Sequence, residues 1–145
     1  MTSADRSPIV VVGIDGSTNS ELALRWAEAY AVAAGYGLRL VCAWQVPTSF
    51  GHPVPHEGYE PVVAAREVAE KAATGVAVPP ERVETLVPMG PAGEVLVEVS
   101  RGAALLVVGH RGHTAIGERL PGSVSAYCVH HAHVPVVVVP SARPR

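Results

Sequence analysis

Three glycines and a serine at fixed spacing form the segment of this sequence that is best suited to bind an anion. Gly109 and Gly112 follow an apolar run, and Gly122 and Ser123 come after nine further residues, which gives the spacing G-x2-G-x9-G-S. Glycines let the backbone approach a ligand because no Cβ stands in the way. A helix that begins near Ser123 would add free backbone N–H groups, a hydroxyl and the positive end of its dipole. The natural occupant of such a cradle is a triphosphate.

The cations near this segment decide how a phosphate would be held. The one lysine of the chain, Lys71, lies far from the glycines, so the segment is not the lysine-containing loop of P-loop hydrolases. Phosphate binding would then rest on backbone N–H groups, on Ser123 and Ser125, and on either Arg111 or Arg119. A purely structural alternative stays open at this point: the glycines would only form turns, and Ser123 would be no more than the N-cap of a helix.

Apolar runs and helical spacings alternate along the chain and indicate which elements hold these residues. Strands are expected over about 9–14, 38–44, 82–87, 104–108 and 136–139, and helices over about 19–34, 61–75, 91–101 and 123–131. The proline- and glycine-rich stretch 45–60 is expected to be a loop. Strands that are apolar on both faces and alternate with helices predict an open, doubly wound parallel sheet with helices on both faces, a Rossmann-like α/β fold.

In such a sheet, ligands bind beyond the carboxyl ends of the strands, where the winding reverses. Asp15 directly follows the first strand and the glycine-rich segment follows the fourth, so both are expected at that edge. Asp15 has an alternative role as a residue that starts the first helix, ahead of Ser17 and Thr18. We expect a single domain over residues 1–145, with 1–8 and 141–145 as flexible tails.

The first helix carries its own end signals and an apolar stripe. Thr18 and the glutamate three residues later have the spacing of a capping box, and Gly35 marks the end of the helix. Trp26 and Tyr30 recur at helical spacing, and with Trp44 they are expected to lie in the core or at its edge.

Composition and charge exclude several classes of partner. A formal net charge of −2, with basic residues spread along the chain, gives no electrostatic footprint for nucleic acid or an anionic membrane. No apolar run reaches the roughly 18 residues of a membrane-spanning helix, and the polar N-terminus does not resemble a signal peptide. Cys42 and Cys128 lie in apolar stretches, which favours buried free thiols and a reduced, cytoplasmic setting.

The seven histidines raise the question of a metal site. His110 and His113 lie three residues apart, but no cysteine or carboxylate completes a ligand set around them. His130, His131 and His133 fall at the end of a helix, where imidazole interacts favourably with the last carbonyl groups. We expect structural roles for these histidines and no metal site made by the protein alone.

Four stretches of the sequence resemble the universal stress protein family: IVVVGIDGS at 9–17, VVGHRG at 107–112, LPGSVS at 120–125 and HHAHVPVVVV at 130–139. The resemblance covers essentially the whole chain. It implies a five-stranded sheet of order 3-2-1-4-5 and a homodimer formed through the last strand, Val136–Val139. Many members of the family bind ATP, and the G-x2-G-x9-G-[ST] spacing of this chain resembles that branch.

The resemblance also implies a role for each matching position. Asp15 would lie beside the ribose and the triphosphate and is a candidate to help hold a Mg²⁺ that arrives with the nucleotide, while the backbone of Ala43 would bind adenine. The remaining positions would surround the ligand: Val108 and Gly109 against the nucleoside, and Gly112, Gly122, Ser123, Val124 and Ser125 around the phosphates. Glu118 departs from the pattern because it places a carboxylate near the phosphates, where it would face solvent, bind metal or weaken affinity.

Three functions are consistent with these residues. The first is a regulatory stress-response protein that binds ATP, or ADP or AMP, with or without Mg²⁺. The second is a slow ATPase, for which Asp15, Glu118 and His110 are the nearby candidates, although they form no recognisable catalytic set. The third is a dimeric scaffold that works without nucleotide. We rank nucleotide sensing first and expect weak hydrolysis at most.

Overall fold

Five parallel strands and four α-helices make up the sheet and its cover in the computed structural model, which describes residues 7–53, 58, 60–111 and 122–142. The strands are β1 (Ile9–Gly13), β2 (Gly37–Val41), β3 (Val83–Leu86), β4 (Leu105–Gly109) and β5 (Val136–Val139). The helices are α1 (Thr18–Ala34), α2 (Pro61–Thr74), α3 (Ala92–Val99) and α4 (Ser123–His131). Each corresponds to an element expected from the sequence, with boundaries that differ by a few residues.

The strands lie side by side in the order β3-β2-β1-β4-β5, and every neighbouring pair is parallel. Counted over the strands of this sheet, the order is the 3-2-1-4-5 arrangement that the resemblance implied. β1 occupies the centre, between β2 and β4. The doubly wound α/β fold is therefore confirmed, and the winding reverses between β1 and β4.

Side chains alternate between the two faces of the sheet, and a different pair of helices covers each face. α1 and α2 cover one face, and α3 and α4 the other. The first layer is built from Val10, Val12, Leu38, Leu40, Leu105 and Val107 of the sheet, and the second from Val11, Val41, Leu106 and Val108. Strands buried on both faces explain why their sequences read as continuous apolar runs.

Small side chains set the distance between α1 and the sheet. Ala23, Ala27 and Ala31 are completely buried, whereas Trp26 and Tyr30 are each 38% exposed. The expectation that these two aromatic residues lie in the core or at its edge is therefore wrong; their rings stack on each other on the outer surface, with centroids 5.4 Å apart. The alanine stripe lets the helix backbone approach the strands closely, which leaves no room for large rings on that side.

The start of α1 also differs from expectation. Its N-cap is Ser17, whose side chain accepts a hydrogen bond from the backbone N–H of Ser20, so the capping role predicted for Thr18 belongs to its neighbour. The predicted end is confirmed, because Gly35 adopts a left-handed conformation with a φ of 71°. Only glycine takes this conformation without a Cβ penalty.

The stretch expected to be a loop contains a short hairpin. Thr48–Ser49 pairs with His52–Pro53 in antiparallel fashion. Phe50 and Gly51 both have positive φ angles, 50° and 80°, as a mirror-image two-residue turn requires. The sequence offered no alternating strand pattern here, since two residues per strand are too few to produce one.

Among the helices formed by the described residues, none has the length and apolar character needed to cross a membrane.

We expect Ala27→Leu to lower the free energy of unfolding by about 1–3 kcal/mol, because the larger side chain overpacks the α1–sheet interface. The matched control is Ala33→Leu on the exposed side of the same helix, for which we expect a change within about 0.5 kcal/mol. Urea unfolding followed by circular dichroism measures both. Equal effects of the two substitutions would contradict the close-packed alanine stripe.

Candidate functional site

The carboxyl edge of the sheet brings three of the predicted site residues together. Asp15 follows β1, Ala43 follows β2, and Gly109 ends β4, and these three strands are neighbours with β1 in the middle. From this edge the chain leaves β1 towards α1 on one face and leaves β4 towards α4 on the other. A crevice at such a reversal is where open α/β sheets bind ligands.

The backbone of Ala43 lies where the pairing of β1 and β2 stops. Ile14 N–H donates to the carbonyl of Val41 at 2.9 Å, and the next bond of a parallel ladder would run from Ala43 N–H to the carbonyl of Ile14. That bond is not formed, and the backbone of Ala43 has no hydrogen bond within the described part of the chain. Because backbone direction alternates along a strand, its N–H and C=O face the β1 side of the edge.

The other side of this segment stays paired. Trp44 N–H donates to the carbonyl of Pro88 at 3.1 Å, and Gly90 N–H donates back to the carbonyl of Trp44 at 2.9 Å. The indole Nε1 of Trp44 also donates to the carbonyl of Val87 at 3.0 Å. β2 therefore stays paired with β3 beyond the point at which it separates from β1. The backbone of Ala43 remains accessible on the side that faces β1.

Asp15 is half-buried and organises the turn that leads into α1. One carboxylate oxygen, Oδ1, accepts a hydrogen bond from the backbone N–H of Ser17 at 2.8 Å. The backbone N–H of Asp15 donates to the hydroxyl of Ser20 at 3.2 Å. Asp15 is therefore not the N-cap of α1, and its carboxylate is held at the centre of the carboxyl edge. In the sequence, the signal for this turn is the pair of serines three residues apart, Ser17 and Ser20.

The buried thiol of Cys42 interacts electrostatically with the carboxylate of Asp15. Burial, and to a smaller extent the negative charge of Asp15, raises the pKa of Cys42 to about 11. Burial likewise raises the pKa of Cys128 to about 11. Both thiols are free and stay protonated at neutral pH, so they act as small apolar core residues, as their sequence surroundings predicted.

The end of β4 is glycine for a packing reason. A Cβ at Gly109 would lie 2.8 Å from the carbonyl oxygen of Asn19 in the first turn of α1. The preceding residue, Val108, has a buried side chain in the layer of α3 and α4, so only its backbone can face a ligand at the edge. The glycine thus permits the close approach of α1, and contact of Val108 and Gly109 with a nucleoside stays a prediction.

The first turn of α4 is tied to the end of β4 by two hydrogen bonds to one carbonyl group. His110 C=O accepts from Gly122 N–H at 2.7 Å and from the hydroxyl of Ser125 at 3.1 Å. The same hydroxyl also lies 3.0 Å from the carbonyl of Gly122, and Ser125 is buried. The Ser125 side chain is therefore committed to holding the helix start in place.

Gly122, and not Ser123, is the N-cap of α4. The first hydrogen bond of the helix runs from Ala126 N–H to the carbonyl of Gly122, which leaves the N–H groups of Ser123, Val124 and Ser125 ahead of it without a partner among the described residues. Ser123 is exposed and makes no capping bond. The N-cap alternative for Ser123 is thus wrong, and the helix start presents three N–H groups and a hydroxyl.

Four residues considered in the sequence lie outside the described part of the chain: Gly112, His113, Glu118 and Arg119. The terminal stretches 1–6 and 143–145 lie outside it as well.

The histidines of α4 have structural contacts. The ring of His131 stacks on Tyr127 with centroids 4.1 Å apart, and its Nδ1 lies 3.0 Å from the carbonyl of Tyr127. His133 follows the end of the helix. Across residues 7–53, 58, 60–111 and 122–142, no three histidine, cysteine or carboxylate side chains are grouped so that they could bind a metal ion.

A separate groove of about 440 Å³ runs between α1 and α2 and opens beside Gly16 and Ser17. Its lining is mixed, with apolar Leu24 beside the charged groups of Arg25 and Lys71. The lining does not include Ala43, Gly109 or Ser123, so this groove is distinct from the crevice at the carboxyl edge.

Comparison with known proteins agrees with this architecture. A sequence profile described as the universal stress protein family matches residues 8–140. This chain belongs to the universal stress protein family. The chain is 36% identical over 149 residues to Universal stress protein Rv2623 and 34% identical over 134 residues to Universal stress protein Rv2624c, both from Mycobacterium tuberculosis. The matches cover 96% and 91% of this chain but 50% and 48% of those relatives, so the chain spans about half of their length.

Solved structures of the same family share the fold. A universal stress protein in complex with cAMP is 29% identical, with a TM-score of 0.66 over 95% of this chain and 100% of that one. The universal stress protein from Archaeoglobus fulgidus in complex with dAMP has a TM-score of 0.60 over 91% of this chain and 96% of that one. At 20% identity, the second likeness supports the fold alone.

We expect Gly109→Ala to destabilise the protein by about 1–3 kcal/mol, since the added methyl group must push against the backbone of α1. Gly75→Ala is the matched control, because the nearest atom to a Cβ there lies 3.8 Å away and the backbone is right-handed. Thermal and urea unfolding of the two variants against wild type measure the difference. If Gly109→Ala were as stable as Gly75→Ala, the close approach of α1 to the end of β4 would be refuted.

Proposed function

We propose that this chain is a regulatory, stress-response protein that binds an adenine nucleotide, ATP first among them, at the carboxyl edge of its sheet. The observation that carries the proposal is the convergence of complementary groups at this edge: the unpaired backbone of Ala43, the carboxylate of Asp15 and the open helix start at Ser123. They match, in turn, a base edge, a ribose or metal-bound phosphate, and an anionic phosphate group.

The Ala43 backbone suits an adenine ring. Adenine presents a ring nitrogen that accepts and an amino group that donates, and a free peptide N–H and C=O on one side of a strand satisfy both. A purine bound in this way completes the ladder that β1 and β2 leave unfinished. The proposal therefore assigns base recognition to the backbone of Ala43, so the type of side chain at this position does not indicate the role.

The start of α4 suits the phosphates. The N–H groups of Ser123, Val124 and Ser125 and the Ser123 hydroxyl are all donors, and the helix dipole adds to their attraction for an anion. The hydrogen bonds to His110 fix the helix start, so that binding would require little reorganisation. Gly112 and Gly122 would complete the cradle.

The comparison with a family member at 29% identity points to the same ligand class, because that protein is in complex with cAMP. ATP, ADP and AMP remain within the proposal. When Mg²⁺ accompanies ATP it neutralises phosphate charge, and Asp15 would help to hold it. Regulation rather than turnover is proposed, because hydrolysis requires a positioned base and the described candidates at this edge, Asp15 and His110, form no recognisable catalytic set.

The far edge of the sheet is the proposed site of homodimer formation. β5 pairs with β4 on one side, and in the described sheet no strand lies on the other. The carbonyls of Pro135 and Val139 accept bonds from β4, so the alternate residues Val136 and Val138 direct their backbone groups outwards. An unpaired edge strand is a template for a second copy of itself, which favours a symmetric dimer.

For nucleotide binding, we expect calorimetric titration of ATP·Mg²⁺ to show binding to wild type, with GTP·Mg²⁺ weaker because the Ala43 backbone matches adenine. Ser123→Pro removes one N–H and the hydroxyl at a position where proline is compatible with a helix start, and we expect it to weaken ATP binding by about tenfold without unfolding the protein. Val129→Ala on the exposed side of α4 is the control.

Mass spectrometry of nucleotide released from purified, denatured protein provides a second readout. A phosphate-release time course on the same sample separates binding from hydrolysis, since sustained turnover abolished by Asp15→Ala would favour the ATPase. Neither binding up to millimolar ATP nor released adenine nucleotide would overturn the proposal in favour of a scaffold that works without nucleotide.

For the dimer, we expect wild type to sediment as two copies and Val138→Pro to raise the dimer dissociation constant at least about tenfold, because proline removes an outward N–H. The control is Val46→Pro, an exposed position in the β2–α2 connection. Analytical ultracentrifugation over a concentration series measures both. A monomeric wild type, or a dimer unaffected by Val138→Pro, would place the interface elsewhere or remove it.

A further inference from the structure

The two helices that cover the first face of the sheet leave a gap between them. On the opposite face α3 and α4 pack directly against each other, whereas α1 and α2 come close to each other at few positions. A groove of about 440 Å³, the α1–α2 groove, occupies this gap. Its volume falls within the range of about 300–1,000 Å³ that is typical of small-molecule sites. The face therefore keeps an open cavity of ligand size beside a close-packed core.

The floor of the α1–α2 groove is apolar and only partly buried. Leu24 of α1, Val68 and Ala72 of α2, and Val76 beyond the end of α2 line it, and all four pack against the core without being fully covered. Because Ala72 has a small side chain and Gly75 has none, α2 does not fill the space beside Leu24. Apolar surface left open in a concave site favours a ligand with an apolar body, since covering that surface releases water.

Four charged side chains line the α1–α2 groove, and three of them have a partner. Nη2 of Arg25 lies 3.1 Å from Oε1 of Glu21, and Oε1 of Glu28 accepts a hydrogen bond from the backbone N–H of Ala77 at 2.7 Å. Lys71 differs from these three, because its ammonium group forms no ion pair with any carboxylate that the structure describes. A cation without a counter-ion beside an apolar floor favours a ligand that ends in an anionic group.

We propose that the α1–α2 groove is a second ligand site, which binds a small amphipathic carboxylate. Its aliphatic body would cover the floor at Leu24 and Val68, and its carboxylate would pair with the ammonium group of Lys71, which offers several donors to an anion. The carboxylates of Glu21 and Glu28 disfavour a multiply charged ligand such as a triphosphate. The inference therefore does not depend on nucleotide binding at the carboxyl edge.

The test titrates octanoate into the full chain by calorimetry and follows the backbone amides by NMR. We expect wild type to bind octanoate with amide shifts confined to α1 and α2, and to bind the uncharged octanol about three- to tenfold more weakly.

Lys71→Met keeps an apolar stem and removes the charge. It should lower octanoate affinity by about three- to tenfold and leave octanol affinity unchanged within about twofold. Arg66→Met is the matched control, because Arg66 is an exposed cation of the same helix that does not line the groove.

Two further variants test the shape and the charge of the groove separately. Ala72→Leu fills the space beside Leu24 and should abolish binding of both octanoate and octanol, with urea unfolding as the check that the variant folds. Glu21→Gln removes a negative charge and releases Arg25 from its ion pair, so it should raise octanoate affinity by about two- to threefold.

No heat and no amide shift up to millimolar octanoate would overturn the inference. Octanoate binding that survives both Lys71→Met and Ala72→Leu would place the ligand elsewhere on the chain, with the same consequence. If octanoate binds as expected and ATP·Mg²⁺ does not bind, the inference stands and the proposed function fails.

Competition with nucleotide distinguishes a second site from an extension of the first. The α1–α2 groove opens beside Gly16 and Ser17, in the turn that Asp15 organises, so the two sites share a border. We expect octanoate and ATP·Mg²⁺ to bind together, and Lys71→Met to leave ATP affinity unchanged within about twofold. If ATP displaced octanoate and Lys71→Met weakened both ligands equally, the groove would be part of the nucleotide site, and the inference would fail while the proposed function stood.

Discussion

The close approach of α1 to the centre of the sheet sets the geometry of the carboxyl edge. A stripe of three alanines brings the helix onto β1 and β4, and its first turn comes so near the end of β4 that only glycine fits at position 109. The same approach places Asp15 and the Ser17 cap over the carboxyl edge. The position of these groups is therefore a consequence of helix packing, and the residues predicted to contact a ligand lie where that packing ends.

Backbone groups, rather than a set of reactive side chains, dominate the chemistry of this edge. Ala43 contributes a peptide N–H and C=O, α4 contributes its first N–H groups, and Ser125 is used to anchor the helix. Such a site can bind a nucleotide tightly without activating a water molecule, because hydrolysis requires a positioned base. This balance agrees with a sensor, in which the bound state itself carries the signal.

The site and the open edge of the sheet are directly connected. Gly109 pairs with Val139 of β5, and His110 N–H donates to the carbonyl of Val139 at 2.9 Å. His110 also accepts the two hydrogen bonds that position α4. One residue thus links the helix start proposed to bind phosphate with the strand proposed to join two copies. A displacement of α4 on the proposed binding would reach the edge strand through a single residue, which offers a physical route for regulation.

The elements, their order along the chain and the carboxyl edge as the expected ligand site can all be read from the amino-acid sequence. Continuous apolar strands, helix end signals and the glycine spacing all act over a few residues or along one strand, so local patterns predict them, and the family resemblance supplied the strand order. The tertiary structure decided the rest. Whether Trp26 or Ala27 faced the sheet depended on how closely the helix could pack, and the need for Gly109 arose from the carbonyl of Asn19, ninety residues earlier in the chain. The free backbone of Ala43 likewise depends on which hydrogen bonds remain unmade among the described residues after folding, and that is a property of neighbours in space that no spacing along the chain records.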